Sequence, residues 1–265
     1  MRVLVNGEQV YVGTGGKELN ANLPAVLFLH GIGMDHRGWA LQTRWFAFHG
    51  YAVIAPDFPG HSLSQGHALK SIEESADWLA ELLTVLKVTK AHVVGHSQGF
   101  LSALELAVKS PQRVASLVGI GTAAAIPVNP ALIATAKTSA FQAAQMMLNW
   151  GFGRAIHLGV SPVPGMQPIG QGLHIMGSNP LAIDLECCAN YLGGEAALDK
   201  INQPSAMILG GKDKMTPLKA GQATARRLGA EMTVLSDSGH MLPIEAPREV
   251  LTALRDFITR QEASI

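Results

Sequence analysis

Apolar positions along the chain recur with two periods, and the switches between them mark out the elements. Around "VLVNGEQVYV" the alternation is strand-like on both sides of Asn6-Gly7, which predicts a hairpin turning there. "AVLFLH" and "YAVIAPD" are short continuous apolar runs, the pattern of strands buried on both faces. Between them, "MDHRGWALQTRWFAF" reads as a helix closed near Gly50. "SIEESADWLAELLTVLK" carries Ile72, Ala76, Leu79, Leu83 and Leu86 at helical spacing, with Ser71 and Glu74 placed as a capping box. "AHVVGHS" is a strand that feeds the helix "GFLSALELAVKS", stopped by Pro111, and "VASLVGIG" is a strand again. Further on, "SAMILGG" is a strand and "TPLKAGQATARRLG" a helix, with Thr216 as cap and Pro217 at the first helical position. "AEMTVLS" is the last strand and "APREVLTALRDFITRQ" the closing helix.

Strands alternating with helices predict an α/β fold, a mostly parallel sheet covered on both faces. The order breaks once. From Ala123 to Asp199 come Ala- and Met-rich helical pieces interrupted by Pro127, Pro130, Pro162, Pro164, Pro168 and Pro180. This stretch reads as a helical cap, 123–199, inserted into a core formed by 1–122 and 200–265.

Composition narrows the function. Apolar residues make up 48% of the 265 and charged residues 15%, against about 25% charged in an ordinary globular chain. Twenty basic and 20 acidic residues give zero formal net charge, so nothing attracts polyanions and nucleic acid is not an expected partner. The two cysteines, Cys187 and Cys188, are neighbours and provide no disulfide framework. No histidine–cysteine spacing suggests a metal. The N-terminus lacks a signal peptide's apolar run, and no apolar stretch nears the roughly 18 residues of a membrane span. A cytoplasmic protein that acts on a small molecule without metal or cofactor is the expectation.

The candidate chemistry begins at Gly95-His96-Ser97-Gln98-Gly99, a G-x-S-x-G pattern between a buried strand and an amphipathic helix. That context predicts a nucleophile elbow, in which the serine sits on a strained strand-to-helix turn. His96 is adjacent but points away on such a turn. The base should come from another loop at the same sheet edge, within roughly 2.6–3.2 Å, beyond the carboxyl end of a strand. His240, in the loop after "MTVLS", meets this condition. His30, His36, His61 and His67 precede the serine, the wrong order for this architecture. The acid should lie between serine and histidine, and Asp213 directly follows the strand "SAMILGG". Asp237 competes, but it shares the histidine's own loop and better suits a supporting role. The oxyanion needs backbone donors. The N–H of Gln98, after the nucleophile, is one. The other should come from the loop "HGIG", where Ile32 is preferred and Gly33 is the alternative.

Taken together, these residues resemble the α/β-hydrolase superfamily over essentially the whole chain. The resemblance is carried by His30-Gly31, the "DFPGHSLS" segment from Asp57, the elbow at Ser97, Asp213 in "GGKDKMTP" and His240 in "SGHMLPIEAP". It implies an α/β-hydrolase fold, an eight-stranded, mostly parallel sheet flanked by helices with a helical cap after the sixth strand. It also implies Ser97 as nucleophile, Asp213 as acid and His240 as base. Serine at the elbow argues against the dehalogenase and epoxide-hydrolase branches, which use aspartate there. Met241 stands where relatives that cleave carbon–carbon bonds often carry tryptophan. The expected activity is carboxylesterase-like: hydrolysis of a small to medium, largely apolar ester through an acyl-enzyme. Alternatives are a carbon–carbon bond hydrolase, a lactonase, a cofactor-free perhydrolase or, in another class, a small-molecule sensor. His30, Gly31, Gly33, His96 and Met241 are expected around the substrate. Met146, Met147, Met166 and Met176 are further candidates from the cap, and Arg154 reads as solvated.

Overall fold

The computed structural model describes residues 1–153 and 168–263. Arg154, Met166, Pro162 and Pro164 lie outside the described residues.

Eight strands form one sheet: β1 (Arg2–Val5), β2 (Glu8–Gly13), β3 (Ala25–Leu29), β4 (Ala52–Pro56), β5 (Ala91–His96), β6 (Val114–Ile120), β7 (Ser205–Gly210) and β8 (Glu231–Leu235). Their order is β1-β2-β4-β3-β5-β6-β7-β8. The β1–β2 and β2–β4 pairs are antiparallel and every other pair is parallel. This is the mostly parallel sheet that the alternation predicts. The first turn is the expected hairpin: Asn6 and Gly7 take φ of 51° and 84°, the left-handed pair that a two-residue primed turn needs.

Helices α1 (Ala40–Phe48), α2 (Ile72–Val85) and α3 (Gln98–Lys109) connect the first six strands. Between β6 and β7 come α4 (Pro130–Thr138), α5 (Ala140–Gly151), α6 (Pro168–Ser178), α7 (Leu181–Asn190) and α8 (Gly194–Leu198). After β7 follow α9 (Leu218–Leu228), α10 (Leu242–Glu245) and α11 (Pro247–Glu262). None of the described helices is long and apolar enough to cross a membrane.

Side-chain alternation along β3 feeds two cores. Leu27 and Leu29 join Leu79, Leu82, Leu83 and Leu104 of α2 and α3 on one face. Val26 and Phe28 join Trp39, Phe46 and Phe257 on the other. Burying each such side chain is worth about 1.5–3 kcal/mol. A third apolar cluster joins Leu132, Met147, Leu148, Met176 and Leu185 of the inserted helices to Ile32, Met34 and Met241. The last three lie in loops beyond β3 and β8. The inserted helices therefore pack on the carboxyl-end loops of the sheet, and Met147 and Met176 are part of that packing.

Three local features differ from the expectation. The helix expected from Met34 begins with a 3-10 turn at His36–Trp39, because Asp35 turns back to accept the Arg37 N–H at 2.9 Å. At α2, Ser71 Oγ accepts the Glu74 N–H at 3.0 Å, while Glu74 accepts from the N–H of Lys70 instead of Ser71, at 2.7 Å. Finally, α9 starts at Leu218 and Thr216 does not cap it. The Thr216 hydroxyl is buried without a hydrogen bond among the described residues. Asp213 takes the free N–H groups of that turn instead, its Oδ1 accepting from Met215 and Thr216 at 2.8 Å each.

Candidate active site

Ser97 stands between β5 and α3 with φ 52° and ψ −121°, a conformation that costs a non-glycine residue about 1–3 kcal/mol. Its surroundings fix it there. The Ser97 N–H donates to the carbonyl of Ile120 at 3.0 Å, and the Thr122 hydroxyl donates to the Ser97 carbonyl at 3.0 Å. The flanking glycines are sterically required. A Cβ at Gly95 would lie 2.4 Å from the Phe100 nitrogen, and one at Gly99 would lie 2.4 Å from the Leu29 carbonyl oxygen. Strand, serine and helix can cross this closely only without those side chains.

Ser97, His240 and Asp213 are buried and linked in one hydrogen-bond chain. His240 Nε2 lies 3.1 Å from Ser97 Oγ and its Nδ1 lies 2.9 Å from Asp213 Oδ2. A carboxylate only accepts, so Nδ1 carries the hydrogen and Nε2 is left with a lone pair toward the serine hydroxyl. For Asp213, burial acts to raise the pKa. It is outweighed by the charge and hydrogen bond of His240 and by the two backbone donors, so the carboxyl is held below its usual range. Asp237 is elsewhere, on the surface, paired with Lys212 at 2.9 Å.

The backbone amides expected at the oxyanion lie in two places, the loop after β3 and the start of α3. Ile32 and Gln98 N–H groups donate to no acceptor among the described residues. The Gly33 N–H is engaged, donating to Asp184 Oδ2 at 2.7 Å. The geometry thus separates the two candidates in this loop: Ile32 has a free donor and Gly33 does not.

The other buried histidines near the serine have fixed tasks. His96 Nε2 donates to the His240 carbonyl at 2.9 Å. Burial, followed by the charge of His240, brings its pKa down to about 3. It is a neutral support for the His240 loop. His30 is similar: Nδ1 donates to the Gly31 carbonyl at 3.0 Å and Nε2 accepts the Phe58 N–H at 3.2 Å. Burial and then the nearby His61 push its pKa to about 4. His61 is the opposite case. Its two ring nitrogens face two acceptors, the Pro59 carbonyl at 3.1 Å and Asp184 Oδ2 at 2.9 Å. Burial lowers its pKa, but the charge and hydrogen bond of Asp184 overcome this and leave it raised. Cys187 and Cys188 are no rival nucleophiles. Burial first, then Asp184, pushes the Cys187 thiol up to about 12, and Cys188 is raised as well.

A cavity of about 150 Å³ opens on Ser97 and His240. Ile32 lines it, together with Ile126, Leu132, Trp150, Leu185 and Lys214. None of the five residues expected around the substrate is among its lining residues. His30, Gly31, His96 and Met241 instead border a separate, narrow cavity of about 10 Å³. Gly33 is covered by α7, where a Cβ would lie 2.7 Å from Leu181 Cδ1. Most of the walls come from residues 126–150 and 185, for which the sequence offers only the general signal of apolar residues in an inserted segment. Among the described residues, Asp35, His36 and Asp57 lie close enough together to suggest a cation site. Asp35 is already paired with Arg37, and Asp57 accepts from the His36 N–H, the His36 ring and the Leu63 N–H, so this group is an internal network.

Comparison with known proteins agrees with this architecture. Residues 26–253 match the model of the alpha/beta hydrolase family, and the chain belongs to that family. A pimeloyl-(acyl-carrier protein) methyl ester esterase from Aromatoleum aromaticum is 29% identical, over 89% of this chain and 99% of its own. A dihydrolipoyllysine-residue acetyltransferase component of an acetoin cleaving system from Cupriavidus necator is 28% identical over 88% of this chain, which spans 63% of that relative's length. Among solved structures, the enol-lactonase from Burkholderia xenovorans LB400 superposes with a TM-score of 0.87, covering 98% of this chain and 100% of its own at 23% identity. At that identity the likeness establishes the fold.

Proposed function

We propose that this protein is a serine hydrolase that cleaves small to medium, largely apolar carboxylic esters through an acyl-enzyme. The observation that carries this reading is the buried chain Ser97–His240–Asp213, with distances of 3.1 and 2.9 Å, beneath a cavity with mostly apolar walls. In this reading residues 123–199 form a cap on a core of 1–122 and 200–265, and the cap walls select the substrate.

The steps follow from the donor and acceptor roles. As Ser97 Oγ bonds to the ester carbonyl carbon, its proton passes to His240 Nε2. The electron pair of the carbonyl moves to oxygen, which the N–H groups of Ile32 and Gln98 hold. Losing one such donor typically costs about 2.7–4 kcal/mol of barrier lowering. The tetrahedral centre collapses, the bond to the leaving oxygen breaks, and His240 gives that oxygen its proton. Water then loses a proton to His240 as it attacks the acyl carbon. Collapse releases the acid and returns the proton to Ser97. Asp213 stays ionised throughout and stabilises the imidazolium.

The test is hydrolysis of p-nitrophenyl esters of graded acyl length. Turnover is expected for short chains, and Ser97→Ala should lower kcat by about 10⁴-fold or more. Full activity in that variant would remove the nucleophile from the proposal. Stoichiometric binding of the esters with no turnover by the intact protein would favour a sensor.

A further inference from the structure

Two polar side chains of the cap are spent on the loop that holds the oxyanion donor. Asp184, on α7, is 5% exposed. Its Oδ2 accepts both the Gly33 N–H at 2.7 Å and His61 Nε2 at 2.9 Å. Asn179, just before α7, is also 5% exposed. Its Nδ2 donates to the carbonyls of Gly33 at 2.8 Å and Met34 at 3.0 Å, and its Oδ1 accepts the Ser62 N–H at 2.8 Å. Gly33 is thus gripped at both its N–H and its carbonyl from the cap side. Its φ of 66° belongs to the region that glycine adopts freely, so its own backbone preferences do little to hold the turn. The orientation of the preceding peptide plane, and with it the Ile32 loop, depends on these outside contacts.

We propose that Asp184 is a positioning residue for ester hydrolysis: through Gly33 it holds the loop so that the Ile32 N–H faces the developing oxyanion, and Asn179 completes the clamp. The proposal rests on the serine-hydrolase reading above. In it the cap does more than wall the substrate cavity. It completes the preorganisation of the oxyanion site, because donors are effective only when held in place before charge develops. The His61 side of the pair is part of the device. His61 Nε2 meets the same Asp184 oxygen at 2.9 Å, and this second contact fixes the oxygen toward Gly33.

The experiment compares Asp184→Ala and Asp184→Leu, which remove the acceptor, with Asp184→Asn, which retains an amide oxygen in its place. Each variant is assayed on a p-nitrophenyl ester and on the matching thionoester, whose developing charge falls on sulfur, a poorer acceptor of N–H hydrogen bonds. For the ester, the Ala and Leu variants should lose about 10- to 100-fold in kcat with KM within threefold of the intact enzyme. This is a fraction of the loss that follows removal of a whole donor. The thionoester should lose markedly less, so that the oxo-to-thiono rate ratio falls about tenfold. Asp184→Asn should recover most of the kcat and the ratio. Equal losses on both substrates, a loss confined to KM, or failure of both the Ala and Leu variants to fold would assign Asp184 to structure alone and overturn the proposal. Failure of the underlying reading looks different: the intact enzyme would show no ester turnover, or Ser97→Ala would retain it.

Discussion

The elbow at Ser97 and the inserted helices α4, α5 and α7 border one cavity, yet they are built by different physics. The elbow is local. Its strained serine is enforced by glycines two positions away on either side and by backbone bonds to the adjoining strand. The cap acts at long range. Asp184 reaches an amide 151 positions earlier in the chain, and Asn179 reaches a carbonyl 146 positions earlier. Strain is affordable where parallel strands over-determine the backbone. Among the described residues the segment between β6 and β7 forms no strand, and it is anchored by an apolar cluster and buried polar groups. In the proposed reading, reaction chemistry sits on the rigid, locally specified part, while substrate choice and loop alignment sit on the part specified by distant contacts.

The largest expected effect tests which carboxylate serves the elbow. Asp213→Asn should reduce kcat on p-nitrophenyl esters by about 10⁴-fold, because an amide supports the wrong imidazole tautomer. Asp237→Asn should leave kcat within about twofold, since its carboxylate is exposed and pairs with Lys212 away from His240, and exposed pairs are worth about 0–1 kcal/mol. Comparable losses in both variants would place the acid in the histidine's own loop and break the contrast between the two regions.

Next in size is the steric demand of the elbow. Gly99→Ala would bring a Cβ to 2.4 Å from the Leu29 carbonyl oxygen. That atom is backbone of a central strand and cannot swing aside. A cost of about 3 kcal/mol is expected, read as a lower urea midpoint at unchanged slope. A variant as stable as the parent would show that the elbow is less tightly determined than its contacts imply.

What could be read from the sequence follows the same division. All eight strands were visible as apolar runs or alternations, because each is defined by its own residues. The elbow was visible because Gly95, Ser97 and Gly99 lie within five positions of each other. Asp213 and His240 needed one further step, their places just after strands. Asp184 was not legible: nothing about a carboxylate in an Ala- and Met-rich segment points to Gly33. The cavity walls were missed for a related reason. His30, Gly31 and His96 are close to Ile32 and Ser97 in sequence, but their rings and backbone turn into the narrow cavity and the support of the His240 loop. Ile126, Leu132 and Leu185 reach Ser97 only once the inserted helices have packed. Thr216 does not take its expected capping role: Asp213 binds the N–H groups of Met215 and Thr216 and α9 begins only at Leu218, a placement of the turn that the sequence alone cannot decide.

Acid should act on the elbow side. His96 and His30 titrate at about 3 and about 4 in the fold and near 6.5 when unfolded. Between these values the unfolded chain binds more protons, so stability rises with pH and is lost as pH falls below about 6.5. At about 1.4 kcal/mol per pKa unit, each of the two buried rings withdraws about 2 kcal/mol between pH 6.5 and 5. His92, also lowered by burial, contributes in the same direction. His61 has the opposite sign: its folded pKa is raised, so its contribution is complete below about 6.5 and is lost as pH rises through the folded value. Asp213, held below 3.8, keeps its contribution above that value and loses it only at lower pH. The urea midpoint should therefore fall from pH 7 to pH 5, with faster hydrogen exchange at residues 30–34 and 95–98 before α5 and α7. The described part of the cap contains no buried histidine, so earlier opening of α5 and α7 would reverse the comparison.

The smallest effect belongs to the cap. Gly177 lies within α6 with no positive φ, and a Cβ there would meet Phe141 at 3.6 Å, ordinary van der Waals contact. Alanine should therefore fit without displacing a neighbour. It reduces the conformational freedom of the unfolded chain and improves helix propensity, together worth about 0.5–1 kcal/mol. Gly177→Ala should raise the urea midpoint slightly and leave kcat on short esters unchanged. The opposite signs expected for the two glycine-to-alanine changes, at 99 and at 177, test whether tight local determination is confined to the elbow. If Gly177→Ala proves destabilising by more than about 1 kcal/mol, the cap is held as closely as the elbow, and conformational tolerance can no longer be the basis of the substrate selection proposed for it.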